Sequence, residues 1–595
     1  MGAGRRCEGR VARLYDLKII NGLLLDGTGA PGRLADVAVT AGVIVAVGDC
    51  PGPASRTIDA EGCIVTPGFV DIHTHYDGQV TWDPDLMPSS IHGVTTAVMG
   101  NCGVGFAPVR EADRARLIEL MEGVEDIPGS VLTEGLKWDW QSFPEFMDSL
   151  DRGERAIDIA VQVPHDALRV YVMGDRAIRG EQATDDDITA MRTELREALE
   201  AGAVGFSTGR TDNHRAKNGS MTPGAEATAH ELGGIAGAFA GLKHGVLMAV
   251  SDYDMEAGPE HFDREFDVVE HMAACADGHT LSLSVSQRDL EPGQWKRILA
   301  RAEVCNANGL PMRLQVAPRG IGVLLGFEAT FHPFMGFPSY KRVAHLPLAE
   351  RVLALSACKA QLLSETSERL AGDGSSVPPL ADRMLAMVDR LAFKLFRLGE
   401  QPSYEPTMAD SLGASARRRG VKALEEIFDA MLEDDGRALL YFPVYNYQEF
   451  SLDVVRQMIT HPLALPGLSD GGAHAGTICD ASFPTFLLTW WARDRAQGQL
   501  PIERVVQMLT HDTAKHMGFH DRGEIRVGLK ADLNVIDHAG LTLHRPELVA
   551  DLPAGGRRLL QRVTGYRATV VSGEIISENG ILTGRRPGRL VRLKG

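Results

Sequence analysis

Apolar and polar positions along this chain follow two rhythms. Up to residue 63 the apolar runs are short and loosely alternating. Residues 17–25 lead into the turn Asp26-Gly27, residues 36–40 alternate apolar and polar, and residues 43–47 follow across Ala41-Gly42. Period two turns one face of a strand inward, so this stretch predicts a small all-β unit, too short to bury a core alone. From Ile64 the rhythm changes. Short apolar runs alternate with segments at helical spacing, such as Ile188, Met191, Leu195 and Leu199. That is the pattern of repeated βα units and a parallel sheet. The strand candidates are the run ending in His73 and His75, then residues 94–102, 158–165, 202–208, 245–252, 281–287, 311–317 and 463–470. Eight such units predict an α/β fold, a (β/α)8 barrel of TIM type, whose chemistry gathers at the C-terminal strand ends.

Two long stretches interrupt the alternation. Residues 104–155 carry Trp138, Trp140, Phe143 and Phe146, either a pocket wall or packing on the barrel rim. Residues 318–462, before the last strand, are rich in helix formers at 348–370, 380–399 and 421–432. An insertion of that length at this face reads as a lid or an oligomer contact, and a homo-oligomer is expected. Residues 375–380 predict a flexible break. After the last strand, residues 483–497 and 501–517 read as helices. Residues 524–537 and 567–576 return to β, with a hairpin turn at Ser572-Gly573. Because the chain begins and ends in β, both ends are expected to pair into one small β-sandwich. The expected domains are residues 14–63 and 521–595 for the two parts of the sandwich and 64–520 for the barrel, with 318–462 inserted.

Composition narrows the partners. The 595 residues carry a net charge of -18, so no basic field attracts nucleic acid or an anionic membrane, and a small molecule is the expected partner. No apolar stretch is long enough to span a bilayer. Residues 1–13 are polar and arginine-rich, without the apolar core of a signal peptide, and read as a frayed tail. Eight cysteines are scattered without a CxxC pair, which predicts free thiols in a reducing cytoplasm.

Chemistry is concentrated at three strand ends. Pro67-Gly68-Phe69-Val70-Asp71-Ile72-His73-Thr74-His75 ends in His-x-His; on a strand, both imidazoles project to one side and form half of a divalent metal site. The plainer reading is two polar residues closing a strand. The second strand ends at Asn101-Cys102-Gly103, where the thiol is either a metal ligand or a small buried apolar group. The eighth ends at Ser469-Asp470-Gly471-Gly472-Ala473-His474. Asp470 there can ligate a metal or take a proton from a water; the alternative is a turn aspartate before flexible glycines.

Together these motifs resemble the amidohydrolase superfamily, as does Gly528-Leu-Lys-Ala-Asp-Leu-Asn-Val-Ile536 near the C-terminus. Residues 93–108 (Gly-Val-Thr-Thr-Ala-Val-Met-Gly-Asn-Cys-Gly-Val-Gly-Phe-Ala-Pro) resemble its N-acyl-D-amino-acid deacylase (D-aminoacylase) branch. The resemblance runs from about residue 17 to about residue 588. It implies a barrel with a small β-sandwich, a divalent metal, usually zinc, and hydrolysis of a C–N amide bond by metal-activated water. It places His73, His75, Cys102 and Asp470 at family metal or catalytic positions. The family also has a ligand histidine near the end of the fifth strand and another at the sixth. Here those ends read Met248-Ala-Val-Ser-Asp252 and Ser284-Val-Ser-Gln287-Arg288. No lysine for carbamylation stands at the third or fourth strand ends, which carry His165 and Thr208-Gly209-Arg210. The expected centre is therefore one Zn2+ rather than two, held by His73, His75 and Asp470, with Cys102 or Asp252 as a further ligand and Asp470 as proton shuttle.

On the substrate side, Arg210 and His214 belong to a loop over the pocket, where arginine would pair with a carboxylate; structural salt bridges are the alternative. His474 would polarise the scissile carbonyl or donate to the leaving group, Gln287 would hydrogen-bond, and His165 stands at the third strand end. The leading expectation is an N-acyl-D-amino-acid deacylase-like amidohydrolase. The alternatives are a hydrolase of a larger or cyclic amide, peptide-like or ester substrate, and a catalytically inactive barrel acting as a binding protein.

Overall fold

The structure is a computed structural model that describes residues 14–255, 257–371, 377 and 379–594. The tail at 1–13 lies outside the described residues, as do Ser375, Ser376 and Pro378 of the break expected at 375–380. Eight strands, Phe69–Asp71, Val94–Met99, Asp158–Pro164, Gly205–Arg210, Val246–Ser251, Leu281–Val285, Met312–Val316 and Ala464–Pro466, lie side by side in chain order, all parallel. A parallel bridge between Thr74 and Gly471 joins the last to the first and closes the barrel. Helices cover the outer faces, so the strands are buried on both sides, which is why they read as nearly unbroken apolar runs.

The first strand is shorter than its apolar run suggests. Regular pairing ends at Asp71, and residues 72–75 continue as an extended link held at both sides. Thr74 N donates to Val98 O at 3.0 Å and His75 N to Gly471 O at 2.8 Å.

Both chain ends meet in a seven-stranded sheet. Leu23–Leu24, Arg33–Leu34 and Ile64–Pro67 come from the first part; Leu533–Ile536, Tyr566–Val571, Glu574–Glu578 and Ile581–Leu582 come from the last. A four-stranded sheet of residues 15–59 faces it across a core that includes Leu17, Ile19, Val37, Leu533 and Val570. Arg522 and Lys530 fasten this sandwich to the barrel through Asp158, at 2.6 and 2.9 Å.

The insertion 318–462 has its own apolar core, including Phe334, Leu355, Leu395, Ile427 and Phe428. Its helices are shorter than expected, among them Leu348–Ala357, Pro379–Ala386 and Ala423–Leu432. It also holds an antiparallel sheet of Gly322–Leu325, Leu440–Pro443 and Phe396–Arg397 that its composition does not suggest. In the other insertion, Trp138, Trp140, Phe143 and Phe146 stack on one another with centroids 4.9–5.8 Å apart, and the Trp140 indole donates to Phe106 O. These rings pack on the rim rather than wall the pocket. Among the described residues no helix is long and apolar enough to cross a membrane.

Candidate metal centre and substrate pocket

The ends of the first, second and eighth strands converge at the C-terminal face of the barrel. Ligand atoms of His73, His75 and Cys102 all lie within 4.8 Å of one another. Gln315, on the seventh strand, accepts from His73 Nδ1 at 2.6 Å and is itself held by Ser282 Oγ at 2.8 Å. That fixes the His73 ring with Nε2 facing the site, 3.3 Å from Cys102 Sγ and 3.3 Å from Asp470 Oδ1. Anchoring one ring nitrogen to free the other is how a protein prepares a histidine ligand.

Asp470 owes its position to close packing of the strand ends. Ser469 Oγ donates to Asp71 Oδ2 at 2.5 Å and to His73 O at 2.9 Å. The two glycines that follow are a steric need, not a flexible link. A Cβ on Gly471 would lie 2.6 Å from Ser89 Oγ, and one on Gly472 would lie 2.8 Å from the Tyr76 ring at a φ of +94°. Cys102, Asp470 and His474 all have left-handed backbone, with φ of 55°, 49° and 50°. Such strain in non-glycine residues gathers where a site fixes side-chain direction.

The insertion after the second strand adds a residue that strand-end reasoning misses. Glu125 directly follows the helix Arg114–Val124, and its side chain is 1% exposed. Its Oε1 lies 3.2 Å from His75 Nδ1 and its Oε2 3.8 Å from His474 Nε2. Its own carbonyl accepts from His474 N at 2.5 Å. A signal for it exists in the sequence. Glu125 stands four residues after Met121 and eight after Leu117, where the buried stripe of the helix calls for an apolar side chain. Asp126 next to it accepts from Thr330 Oγ1 at 2.8 Å, Gly476 N at 3.1 Å and Thr477 Oγ1, so three segments meet on one carboxylate.

Burial drives the acids here toward neutrality. It pushes Asp470 up to about 8, with Asp480 and Asp71 adding to the effect, and it holds Glu125 and Cys102 well above their ordinary ranges. The same burial lowers His73 and His214 to about 4 and His474 to about 3, and keeps His75 well below its ordinary value. His75 Nδ1, Glu125 Oε2 and Asp470 Oδ1 have no hydrogen-bond partner. Unpaired buried donors and acceptors are costly. Two imidazoles and a thiol within ligand reach of one another, with Asp470 Oδ1 3.3 Å from His73 Nε2, form an N, S and O set that suits a divalent ion of the zinc type.

Around this cluster lies a cavity of about 500 Å3. His214, from the loop after the fourth strand, lines it, and so does His474. Ile321, Val323, Phe331, Met384 and Val444 of the large insertion give it an apolar roof. Arg288 also lines it. The guanidinium donates to Ser251 O at 3.0 Å and lies over the Tyr445 ring at 5.4 Å, while its Nη1 has no partner although the residue is buried.

Other polar residues at strand ends point elsewhere. Arg210 turns outward, where its guanidinium meets Glu265 at 2.7 Å and Ala227 O. His165 is buried between Thr208 Oγ1 at 2.9 Å and Glu231 at 3.1 Å. The Asp252 carboxylate accepts from Thr211 Oγ1 at 2.9 Å and Asp212 N at 2.6 Å, which ties down the neighbouring loop instead of joining the metal cluster. Gln287 donates to Glu449 at 2.9 Å and holds the large insertion. None of these four lines the cavity.

The amidohydrolase family profile matches residues 56–577. D-aminoacylase of Alcaligenes xylosoxydans xylosoxydans is 28% identical over 581 residues, covering 97% of each chain. A crystal structure of D-aminoacylase superposes with a TM-score of 0.63 at 24% identity, over 97% of this chain and 100% of that one. N-acyl-D-glutamate deacylase from Bordetella bronchiseptica, solved with zinc and a phosphonate mimic of the tetrahedral intermediate, gives 0.61 at 24% identity, over 98% and 100%. The two structural likenesses bear on the fold.

Proposed function

This chain belongs to the amidohydrolase family, and from that premise we propose that it is a metal-dependent deacylase of N-acyl amino acids, cleaving their C–N amide bond. The observation that carries the reading is one cavity holding two things at once: the orphaned donors around His73, and an unpaired, buried guanidinium. The D configuration is taken from the relatives' names. His73, His75, Asp470 and Cys102 would hold one zinc ion. When bound, the metal would acidify a water and polarise the amide carbonyl.

The chain's own residues do the rest. Arg288 pairs Nη1, which has no hydrogen-bond partner of its own, with the substrate carboxylate in a charge-assisted contact. That orients the amide toward the strand ends, with the acyl chain under the apolar roof. Asp470 in its ionised form takes a proton from the attacking water and returns it to the amine nitrogen as the C–N bond breaks. His474, neutral and 3.9 Å from Asp470 Oδ2, donates a hydrogen bond to the carbonyl oxygen as it gains charge. One water is consumed, and a carboxylic acid and an amine leave. The scattered cysteines, seven of them free among the described residues, fit a reducing compartment, and we place the enzyme in the cytoplasm.

A second reading concerns substrate size. A 500 Å3 cavity with an apolar roof suits a bulky acyl group better than acetyl. The test is steady-state hydrolysis by wild type and D470N of N-acyl amino acids with acyl chains from two to twelve carbons or so. We expect kcat to fall by about 10²–10⁴-fold in D470N, with substrate binding retained, and kcat/KM in wild type to rise with chain length. Unchanged turnover in D470N would remove Asp470 from the chemistry. Binding without turnover in the wild type would return the chain to the class of binding proteins.

A further inference from the structure

We propose that Glu125 is itself a ligand of the metal centre, delivered by the insertion after the second strand in place of donors that the fifth and sixth strands do not supply. This rests on the metal-dependent reading above and goes beyond it, since no strand-end pattern points to residue 125.

The fifth and sixth strands end without histidine, and the carboxylate of Asp252 is held by Thr211 and Asp212. The donors missing from that side of the barrel are therefore not replaced from the same strands. Glu125 enters from the opposite wall. Its Oε1 sits 3.2 Å from His75 Nδ1, as close as the 3.3 Å between His73 Nε2 and Asp470 Oδ1. That contact lies at ion-pair distance but lacks the alignment of a hydrogen bond. His75 Nδ1 lacks a hydrogen-bond partner despite the short separation, and Glu125 Oε2 lacks one as well. Two donor atoms that face each other at ligand–ligand spacing, without the alignment of a hydrogen bond, are arranged to share a third partner.

Charge balance leads to the same place. Around the cavity the described residues include Glu122, Glu125, Asp126 and Asp470, while Arg288 is the one guanidinium and no lysine lines it. Glu122 pairs with Lys217 at 2.8 Å, and Asp126 takes its hydrogen bonds from Thr330, Gly476 and Thr477. Among the described residues no lysine or arginine pairs with Glu125 or Asp470; the basic side chains they face are His73, His75 and His474. A buried carboxylate without a counter-charge is strongly unfavourable, and a divalent cation between the two acids removes that cost. The loop is built to hold Glu125 there. Its carbonyl accepts from His474 N, and the next residue, Asp126, is clamped by its carboxylate to two other segments.

The test uses the full chain, stripped of metal and titrated with zinc against a competing chelator, for wild type, E125Q and E122Q, with zinc-edge anomalous diffraction on zinc-loaded wild-type crystals. We expect zinc affinity to drop at least about tenfold in E125Q and to be unchanged in E122Q. We also expect an anomalous peak within about 2.2 Å of a Glu125 carboxylate oxygen. Unchanged affinity in E125Q, or zinc lying beyond about 3 Å from both oxygens, overturns the assignment and leaves the deacylase reading standing. Wild type that takes up no zinc overturns both. The diffraction measurement stands alone should E125Q fail to fold.

Discussion

At the scale of single residues, the direction of a side chain decides more than its position at a strand end. Phe206, Thr208 and Arg210 share one face of the fourth strand, and that face looks at the helices, where Thr208 meets His165 and Arg210 meets Glu265. An arginine in phase with a buried phenylalanine cannot reach the barrel mouth. Strand parity groups these three side chains, but with both faces of the strand buried the sequence leaves open which way they point. Arg288 does face the pocket, and its role gives a sharp prediction. R288M should raise KM for N-acyl amino acids about tenfold to a hundredfold, the worth of one charge-assisted contact, with kcat nearly unchanged. The loss should vanish with substrates whose carboxylate is replaced by a carboxamide. Equal losses on both substrate types would mean that Arg288 supports the fold and does not recognise the carboxylate. His73, His75, Cys102 and Asp470 were legible because each closes an apolar run. Glu125 was only half legible: an acid in the apolar stripe of a helix marks a buried carboxylate, but inside an insertion nothing local says which way the chain turns.

At the scale of elements, buried polar networks pin helices to the barrel. Glu231, on the helix Ala229–Ala236, meets His165 Nε2 at 3.1 Å and Arg169 Nε at 2.7 Å. Burial alone would raise this carboxyl, but the contacts with His165 and Arg169 outweigh it and hold the carboxyl down to about 2. The folded value thus lies below the ordinary 4.5, so the stabilisation is present above pH 4.5 and is lost as pH falls toward 2. It amounts to on the order of 3 kcal/mol at neutral pH. Urea unfolding of wild type and E231Q between pH 7 and pH 3 should show the wild-type advantage narrowing below about pH 4.5. An advantage that stays constant to pH 3 would contradict this account of Glu231. His165 was expected at the substrate because it follows a strand, yet it opens the helix His165–Met173 and faces outward with that helix.

At the scale of the whole molecule, the fold follows from alternation. Eight apolar runs separated by helical spacing are enough to specify a closed parallel barrel, and β rhythm at both ends is enough to place them in one sandwich. The insertion 318–462 was only half legible. Its helices show as periodic apolar positions, but its sheet pairs Gly322–Leu325 with Leu440–Pro443, more than a hundred residues away, and no local pattern encodes so distant a pairing. That sheet carries Val323 into the cavity roof and leads into Val444 and Tyr445, so the segment hardest to read in the sequence shapes the cavity.

The central claim is that one metal centre at His73, in a pocket that recognises a carboxylate, hydrolyses N-acyl amino acids. The most direct test is hydrolysis of matched D and L N-acyl amino acids by chelator-stripped protein before and after zinc is restored. The account predicts negligible turnover when stripped, recovery at about one zinc per chain, and preference for the D enantiomers. Full turnover in metal-free protein, or no turnover of any N-acyl amino acid after reloading, would contradict it.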